Sequence, residues 1–307
     1  MKEENILGKD PIKKLLIQFA LPSIFALIIS SLYNIVDQIF IGNSVGMLGN
    51  AATNVAFPLV TICTALALLS GIGGAANFNI SLWRGQNDLA RLGAASGFNQ
   101  AAILFVQILM NNFYRYYGSL SEYGANIPLA AVGIVMKVSM VFFCVNIGLS
   151  QGLQPISSFN YGAKNYDRVV EVYKLAIKYS LIVSSISFVI FQIFPRQIIM
   201  LFGGGSDLYF DFAIKLFRIM LFFTFLNGAQ PVTMGFLTSI GLAKRGILIS
   251  LLRQVLLLVP FAYIYANLFG VKGLLYAPPT ADFITALITF ALAKKVLDNL
   301  RKKSIEV

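Results

Sequence analysis

Eight apolar runs separated by short polar segments set the plan of this chain. They cover roughly 14–41, 53–82, 94–118, 128–158, 169–202, 208–240, 246–268 and 273–293. Each reaches the ~20 residues that a helix needs to cross the hydrocarbon of a bilayer. Several exceed that length, so tilt, kinks or protrusion into water is expected. Pro22, Pro58, Pro155, Pro231 and Pro260 fall inside or near the ends of these runs. A proline frees a backbone carbonyl that neighbouring groups must re-satisfy, so each marks a kink. The pattern predicts an all-α, polytopic integral membrane protein with about eight transmembrane helices.

The polar segments give the orientation. The N-terminal tail carries Lys2, Lys9, Lys13 and Lys14, and the next segment, GNSVGMLGN, carries no base. The third has Arg84 and Arg91, the fourth Arg115, the fifth Lys164, Arg168 and Lys174, and the sixth Arg196. The seventh has Lys244 and Arg245, the eighth Lys272, and the tail Lys294, Lys295, Arg301, Lys302 and Lys303. Basic-rich and basic-poor segments alternate, which puts both termini inside and requires an even number of spans. The stretch NYDRVVEVYKLAIK is charged at helical spacing and extends the fifth helix on the inner side. Gly203 to Gly205 form an external loop.

Composition narrows the function. The chain is 57% hydrophobic and only 12% charged, with a net charge of +11 and a mean hydropathy of +0.76. The bases cluster between apolar runs, so the charge belongs to cytoplasmic loops and not to a nucleic-acid surface. There is no histidine, which removes the commonest general base and metal ligand. No acid pair or metal cluster replaces it, so no enzyme and no cofactor is expected. Cys63 and Cys144 lie within apolar runs and are expected to be small buried hydrophobes.

Asp37, in ISSLYNIVDQIFIG, is the only formal charge between Lys14 and Arg84. An ionised group in hydrocarbon costs at least ~2.5 kcal/mol, and such groups usually face a cavity or an ion path. Asn34, three residues earlier, shares its helical face. On the third helix Gln100, Gln107 and Asn111 keep to one face that could line a cavity or glue helices together. Met110, Met136, Met140, Met220 and Met234 could form an adaptable surface, Met110 and Met234 being the candidates for a cavity wall. Lys137, Arg253 and Asp282 are intramembrane charges expected to be structural, with Arg253 and Asp282 a natural pair.

An internal repeat is also visible. GGAANFNISLWRGQNDLARL after the second span corresponds to QGLQPISSFNYGAKNYDRVV after the fourth, matching Gly74 with Gly152, Gly85 with Gly162 and Arg91 with Arg168. Parallel repeats about an axis along the membrane normal are one plan of secondary transporters. The same pieces, with LPSIFALIISSLYNIVDQIFIG and RQVLLLVPFAYIYANLFGVKGLLYAPPTAD, resemble the multidrug and toxic compound extrusion (MATE) transporters of bacteria and archaea. The resemblance covers nearly the whole chain and implies a fold of two six-helix lobes. It departs from the family near Asn87 to Gly93, passing from the family's second helix to its seventh. Residues 1–92 then correspond to a two-helix remnant of the first lobe, and 93–307 to a complete six-helix second lobe.

The resemblance implies a secondary antiporter in a prokaryotic plasma membrane. Small organic, often cationic, drugs or toxic compounds would leave in exchange for Na+ or H+. Asp37 matches the family's first-lobe carboxylate, and Asn34 would add an amide oxygen. Na+ at Asp37 is the only metal implied. The helices that would complete that site are absent from the chain, so impaired coupling is expected, and self-association would cover the incomplete lobe. Membrane lipid is the remaining partner. Two alternatives stay open: a non-transporting membrane remnant or scaffold, and a lipid-linked sugar flippase of the same superfamily.

Overall fold

The computed structural model describes residues 6–56, 59–60, 62–63 and 86–306. Among these residues every regular element is helical. After a single turn at Ile6–Lys9 come α1 (Ile12–Val45), α2 beginning at residue 47, α3 (Gln86–Ser119), α4 (Asn126–Gly162), α5 (Tyr166–Ile193) and the short α6 (Pro195–Leu201). Then follow α7 (Asp207–Met220), α8 (Ala229–Ser239), α9 (Ala243–Leu251), α10 (Val259–Phe269) and α11 (Ala277–Glu306). Ile12–Val45, Asn126–Gly162, Tyr166–Ile193 and Ala243–Leu275 are long and apolar enough to cross a membrane. Much of the expected second span, with Pro58 and the first copy of the repeat through Gly85, lies outside the described residues.

Two expected spans depart from a plain helix. The run 208–240 is broken: α7 ends at Met220, a single turn occupies Thr224–Asn227, and α8 begins at Ala229. The break falls where the chain is squeezed between helices, since a Cβ on Gly228 would stand 2.1 Å from Ser184 Oγ and 2.9 Å from Asn146 Oδ1. The run 246–268 carries a π-helical segment, Leu252–Leu258, between α9 and α10. Pro260 lies two residues further on and has no N–H for the Leu256 carbonyl, which accounts for the widened turn. Pro22 and Pro155, by contrast, sit inside helices that continue through them.

Two apolar cores follow one another along α4, Ile127 to Val138 belonging to one and Leu149 to Ile156 to the other; the inner one is on the side of the basic N-terminal tail. The inner one gathers Leu15, Leu16, Leu153, Ile156, Val172, Phe236 and Val296. The outer one gathers Tyr114, Ile134, Val135, Phe191, Phe217 and Leu274. The loops at each end meet as the charge alternation requires. Arg168 Nη2 donates to the carbonyls of Leu7 and Asp10, at 3.2 and 2.6 Å, tying the tail to the α4–α5 loop. Lys272 and Glu122 pair at 3.1 Å across the opposite end.

α1 lies along α4. Gly148 and Gly152, one helical turn apart, open the groove it fills. A Cβ on Gly152 would lie 2.6 Å from the Ala20 Cα, and one on Gly148 would lie 2.9 Å from the Ile24 Cα. This close backbone approach is how small residues join helices in lipid, where hydrophobic burial offers no gain. Cys144 is fully buried beneath α1 and its Sγ donates to the Leu27 carbonyl at 3.4 Å. Cys63, expected to be buried, is exposed. An apolar run in a membrane need not face protein, because lipid solvates it equally well.

At the outer end the expected loop at Gly203 is a docking point. Gly203 has φ +108°, and a Cβ there would stand 2.4 Å from the Gly42 carbonyl oxygen. The expected lobe boundary at residues 92 and 93 falls inside α3.

Candidate intramembrane polar site

The helical period of α1 decides which of its polar side chains meet the rest of the protein. Ser31, Gln38 and Gly42, spaced seven and four, are buried. Tyr33, Asn34, Asp37 and Phe40 fall on the other side and are exposed. Asp37 therefore stands on an open face, flanked by Tyr33 and Phe40 at 75% and 70% exposure. Asn34 shares that face, but its Nδ2 donates back to the Ser30 carbonyl at 3.0 Å.

The buried neighbour Gln38 is the centre of a polar network. Its Oε1 accepts from Lys137 Nζ of α4 and, at 2.9 Å, from Thr53 Oγ1 of α2. Its Nε2 donates to Asn50 Oδ1. Asn50 Nδ2 continues to the Phe202 carbonyl at 3.0 Å. The network thus runs from α4 through α1 and α2 to the outer docking point. The half-buried Lys137 ammonium is held by the Gln38 amide oxygen, while Asp37 stands on the exposed side of the same helix as Gln38. Donor chemistry limits what else fits: a hard cation wants a shell of oxygens. Asp37 and Asn34 supply few, and both stand on the exposed side of the helix. This set does not fit a tightly held Na+ within one chain.

The other expected residues take different places. The Gln100 side chain lies outside the described residues. Gln107 is half-buried and engaged. Asn111 Nδ2 donates to the Asn54 carbonyl and its Oδ1 accepts from Asn54 Nδ2, both at 3.4 Å. That makes Asn111 helix-to-helix glue in place of a cavity wall. Met110 belongs to the outer core and not to a cavity, because it packs with Val106 and Tyr114 on the same turns of α3. Met234 is half-buried, with its backbone against Gly246.

Arg253 and Asp282 meet. Arg253 Nε stands 2.5 Å from Asp282 Oδ1, and Asn227 Nδ2 donates to Asp282 Oδ2 at 2.6 Å. Asp282 is 4% exposed. The break in 208–240 places Asn227, and the π-helical turn carries Arg253, so both irregular segments converge on this carboxylate. Irregular backbone at membrane depth is tolerated where protein buries it. Close by, Ser139, Asn146, Ser184, Ser187 and Thr224 line a cavity of about 10 Å3, the room of a single water.

Sequence reasoning missed Gln38, Asn50 and Thr53. A signal was present: Gln38 follows Asp37 directly, and Asn50 and Thr53 are one helical turn apart.

Fold and site together define a multi-pass, all-helical membrane protein with polar groups joined across its helices at depth. The MatE family model matches residues 95–264, and the chain belongs to the MatE family. Among its relatives is the multidrug export protein MepA of Staphylococcus aureus strain MSSA476. It is 23% identical over 221 residues, which is 72% of this chain and 47% of that protein. The FAD transporter of Shewanella oneidensis strain MR-1 is 25% identical over 178 residues, covering 56% of this chain and 38% of its own. The chain spans about half the length of the curated relatives it matches or less. The MATE multidrug transporter DinF-BH, solved as a complex, superposes with a TM-score of 0.77 at 21% identity. That alignment covers 96% of this chain and 98% of that one. A Pyrococcus furiosus transporter of the MOP superfamily gives 0.63 at 18% identity, over 70% and 47%.

Proposed function

We propose that this chain is a secondary exporter of organic compounds in a prokaryotic plasma membrane, driven by protons that return through Asp37. A second copy of the chain completes the site. The observation that carries this reading is the position of Asp37, on an open face with Tyr33 and Phe40 and one residue from Gln38, which holds Lys137. An ionised carboxylate in hydrocarbon costs at least ~2.5 kcal/mol, so such a face calls for a partner or a proton. Asp37 and Asn34 offer too few oxygens for the shell that Na+ takes, which favours the proton. Export of organic compounds rests on the MepA relatives, and on family membership.

The geometry suggests how a proton would act. In this reading Gln38 holds Lys137, and the charge of ionised Asp37, one residue away, attracts the ammonium without pairing with it. A proton on Asp37 removes that attraction and loosens the line from Gln38 through Asn50 to Phe202. The outer end of α1 is then less firmly attached, while Arg168 still holds the inner end. The test is transport of a fluorescent rhodamine cation by the reconstituted chain under a pH gradient. We expect flux that follows the gradient and is lost in Asp37→Asn. Flux indifferent to both would end the proton reading. Cross-linking through Tyr33→Cys should trap a dimer, and a cysteine-trapped monomer that transports equally well would remove the second copy.

One observation favours a second reading, a non-transporting scaffold. α1 lies along α4 and is held near both ends, through Arg168 at the inner one and against Phe202 and Gly203 at the outer one, which opposes the alternate opening that transport needs. A well-folded sample with neither binding nor flux would select it.

A further inference from the structure

Where the α3–α4 loop meets the turn Gly270–Leu275, a cleft of about 440 Å3 opens at the outer end. Small-molecule sites typically hold ~300–1,000 Å3. Its wall joins aromatic to charged side chains: Tyr117, Tyr123, Phe269, Glu122 and Lys272. Two of the rings are fixed. Tyr117 Oη donates to Asn267 Oδ1 at 2.8 Å. Tyr123 packs on Phe212 with centroids 4.8 Å apart.

The cleft already shows its chemistry through one of its own side chains. Lys272 Nζ lies 5.4 Å from the centroid of the Tyr123 ring and 3.1 Å from Glu122 Oε1. A primary ammonium therefore sits between an aromatic face and a carboxylate, the two elements that recognise ammonium ligands. The Lys272 and Glu122 side chains are each 58% exposed, whereas Tyr123 is 4% exposed. Lys272, on a four-carbon stem, can therefore swing away from a fixed ring. Exposed ion pairs hold weakly. The remaining charges that face Tyr123 are Asp211 and Lys215. They pair with each other at 2.7 Å, and Tyr123 Oη also donates to Asp211 Oδ2 at 3.5 Å, leaving Glu122 as the available acid. Burial holds the Tyr123 phenol above its ordinary range, with Lys272 acting against it, so the ring stays neutral.

We propose that this cleft binds an organic ammonium group carried on an apolar body, which displaces Lys272 from Glu122 and Tyr123. The ammonium can come from a free compound or from the choline headgroup of a lipid. The site is separate from Asp37 and does not depend on the export reading.

Binding of benzyltrimethylammonium to the full chain, in nanodiscs of phosphatidylglycerol, tests it by calorimetry. Lys272→Ala removes the internal competitor and should bind roughly tenfold more tightly, the worth of one exposed pair and one cation–π contact. Glu122→Gln should bind about tenfold more weakly. Tyr123→Phe keeps the ring and should bind like the parent, which separates the aromatic face from the phenol. Nanodiscs of phosphatidylcholine identify the source: competition assigns the headgroup, and its absence assigns a free compound. Lys272→Ala binding no more tightly than the parent would overturn the proposal, as would benzenesulfonate binding in place of the ammonium.

Discussion

Adding one methyl group at Gly152 should unseat α1. A Cβ there would stand 2.6 Å from the Cα, Cβ and N of Ala20. Two of those atoms are backbone, so no rotamer change relieves the clash and the helix itself must retreat. Overpacking of this kind costs ~1–3 kcal/mol. Taking about 2 kcal/mol, the population in which α1 has lifted from α4 rises about thirtyfold, at ~1.4 kcal/mol per factor of ten. The chain carries its own reporter. Cys144 is fully buried under α1, and Cys63 is the other cysteine. In a Cys63→Ser background, the rate of Cys144 labelling by a thiol-reactive fluorophore in mild detergent measures the lifting directly. Gly152→Ala should speed it by roughly the same thirtyfold. Gly162→Ala is the control, because nothing lies within 4 Å of the added atom. It should leave labelling unchanged and stabilise the helix by up to ~1 kcal/mol. Equal labelling rates in Gly152→Ala and Gly162→Ala would refute the close seating of α1 on α4.

Arg253→Met leaves Asp282 buried with Asn227 alone and should destabilise the chain by ~3–5 kcal/mol. Arg253→Met combined with Asp282→Leu should recover most of that loss, and thermal unfolding in detergent compares the two. Gly203→Ala puts a side chain at φ +108° and against the Gly42 carbonyl, and should cost ~1–3 kcal/mol by the same measurement. Gly204→Ala meets open space and should stay within ~0.5 kcal/mol of the parent.

The spans were legible because lipid imposes length and apolarity on every helix, whatever it packs against. The pairing of ends was legible because bases are sorted by side. Arg253 and Asp282 could be matched because two buried charges rarely stand alone. The breaks were not legible. Residues 221–226, LFFTFL, are as apolar as any helix interior, so hydropathy runs smoothly across the turn after Met220. The seat of α1 was also hidden. Gly148 and Gly152 form a small-residue pair at the right spacing, but with 25 glycines in the chain that spacing arises often and selects no partner.

Asp37 and Gln38 show where the limit lies. A charge in an apolar run stands out from sequence alone, because its cost does not depend on neighbours. An amide does not: its cost depends on which side of the helix faces protein, and that was unknown until α1 was placed. The placement reverses the weight of the two residues. Gln38 is the one whose hydrogen bonds join helices α1, α2 and α4, and Asp37 is its exposed neighbour. On the proposed proton reading, coupling needs the amide as much as the carboxylate. Gln38→Leu keeps the volume but breaks the bonds to Lys137, Thr53 and Asn50 together. It should uncouple flux from the pH gradient while Asp37 stays intact. If flux still follows the gradient in that variant, the network is scaffolding and Asp37 acts alone.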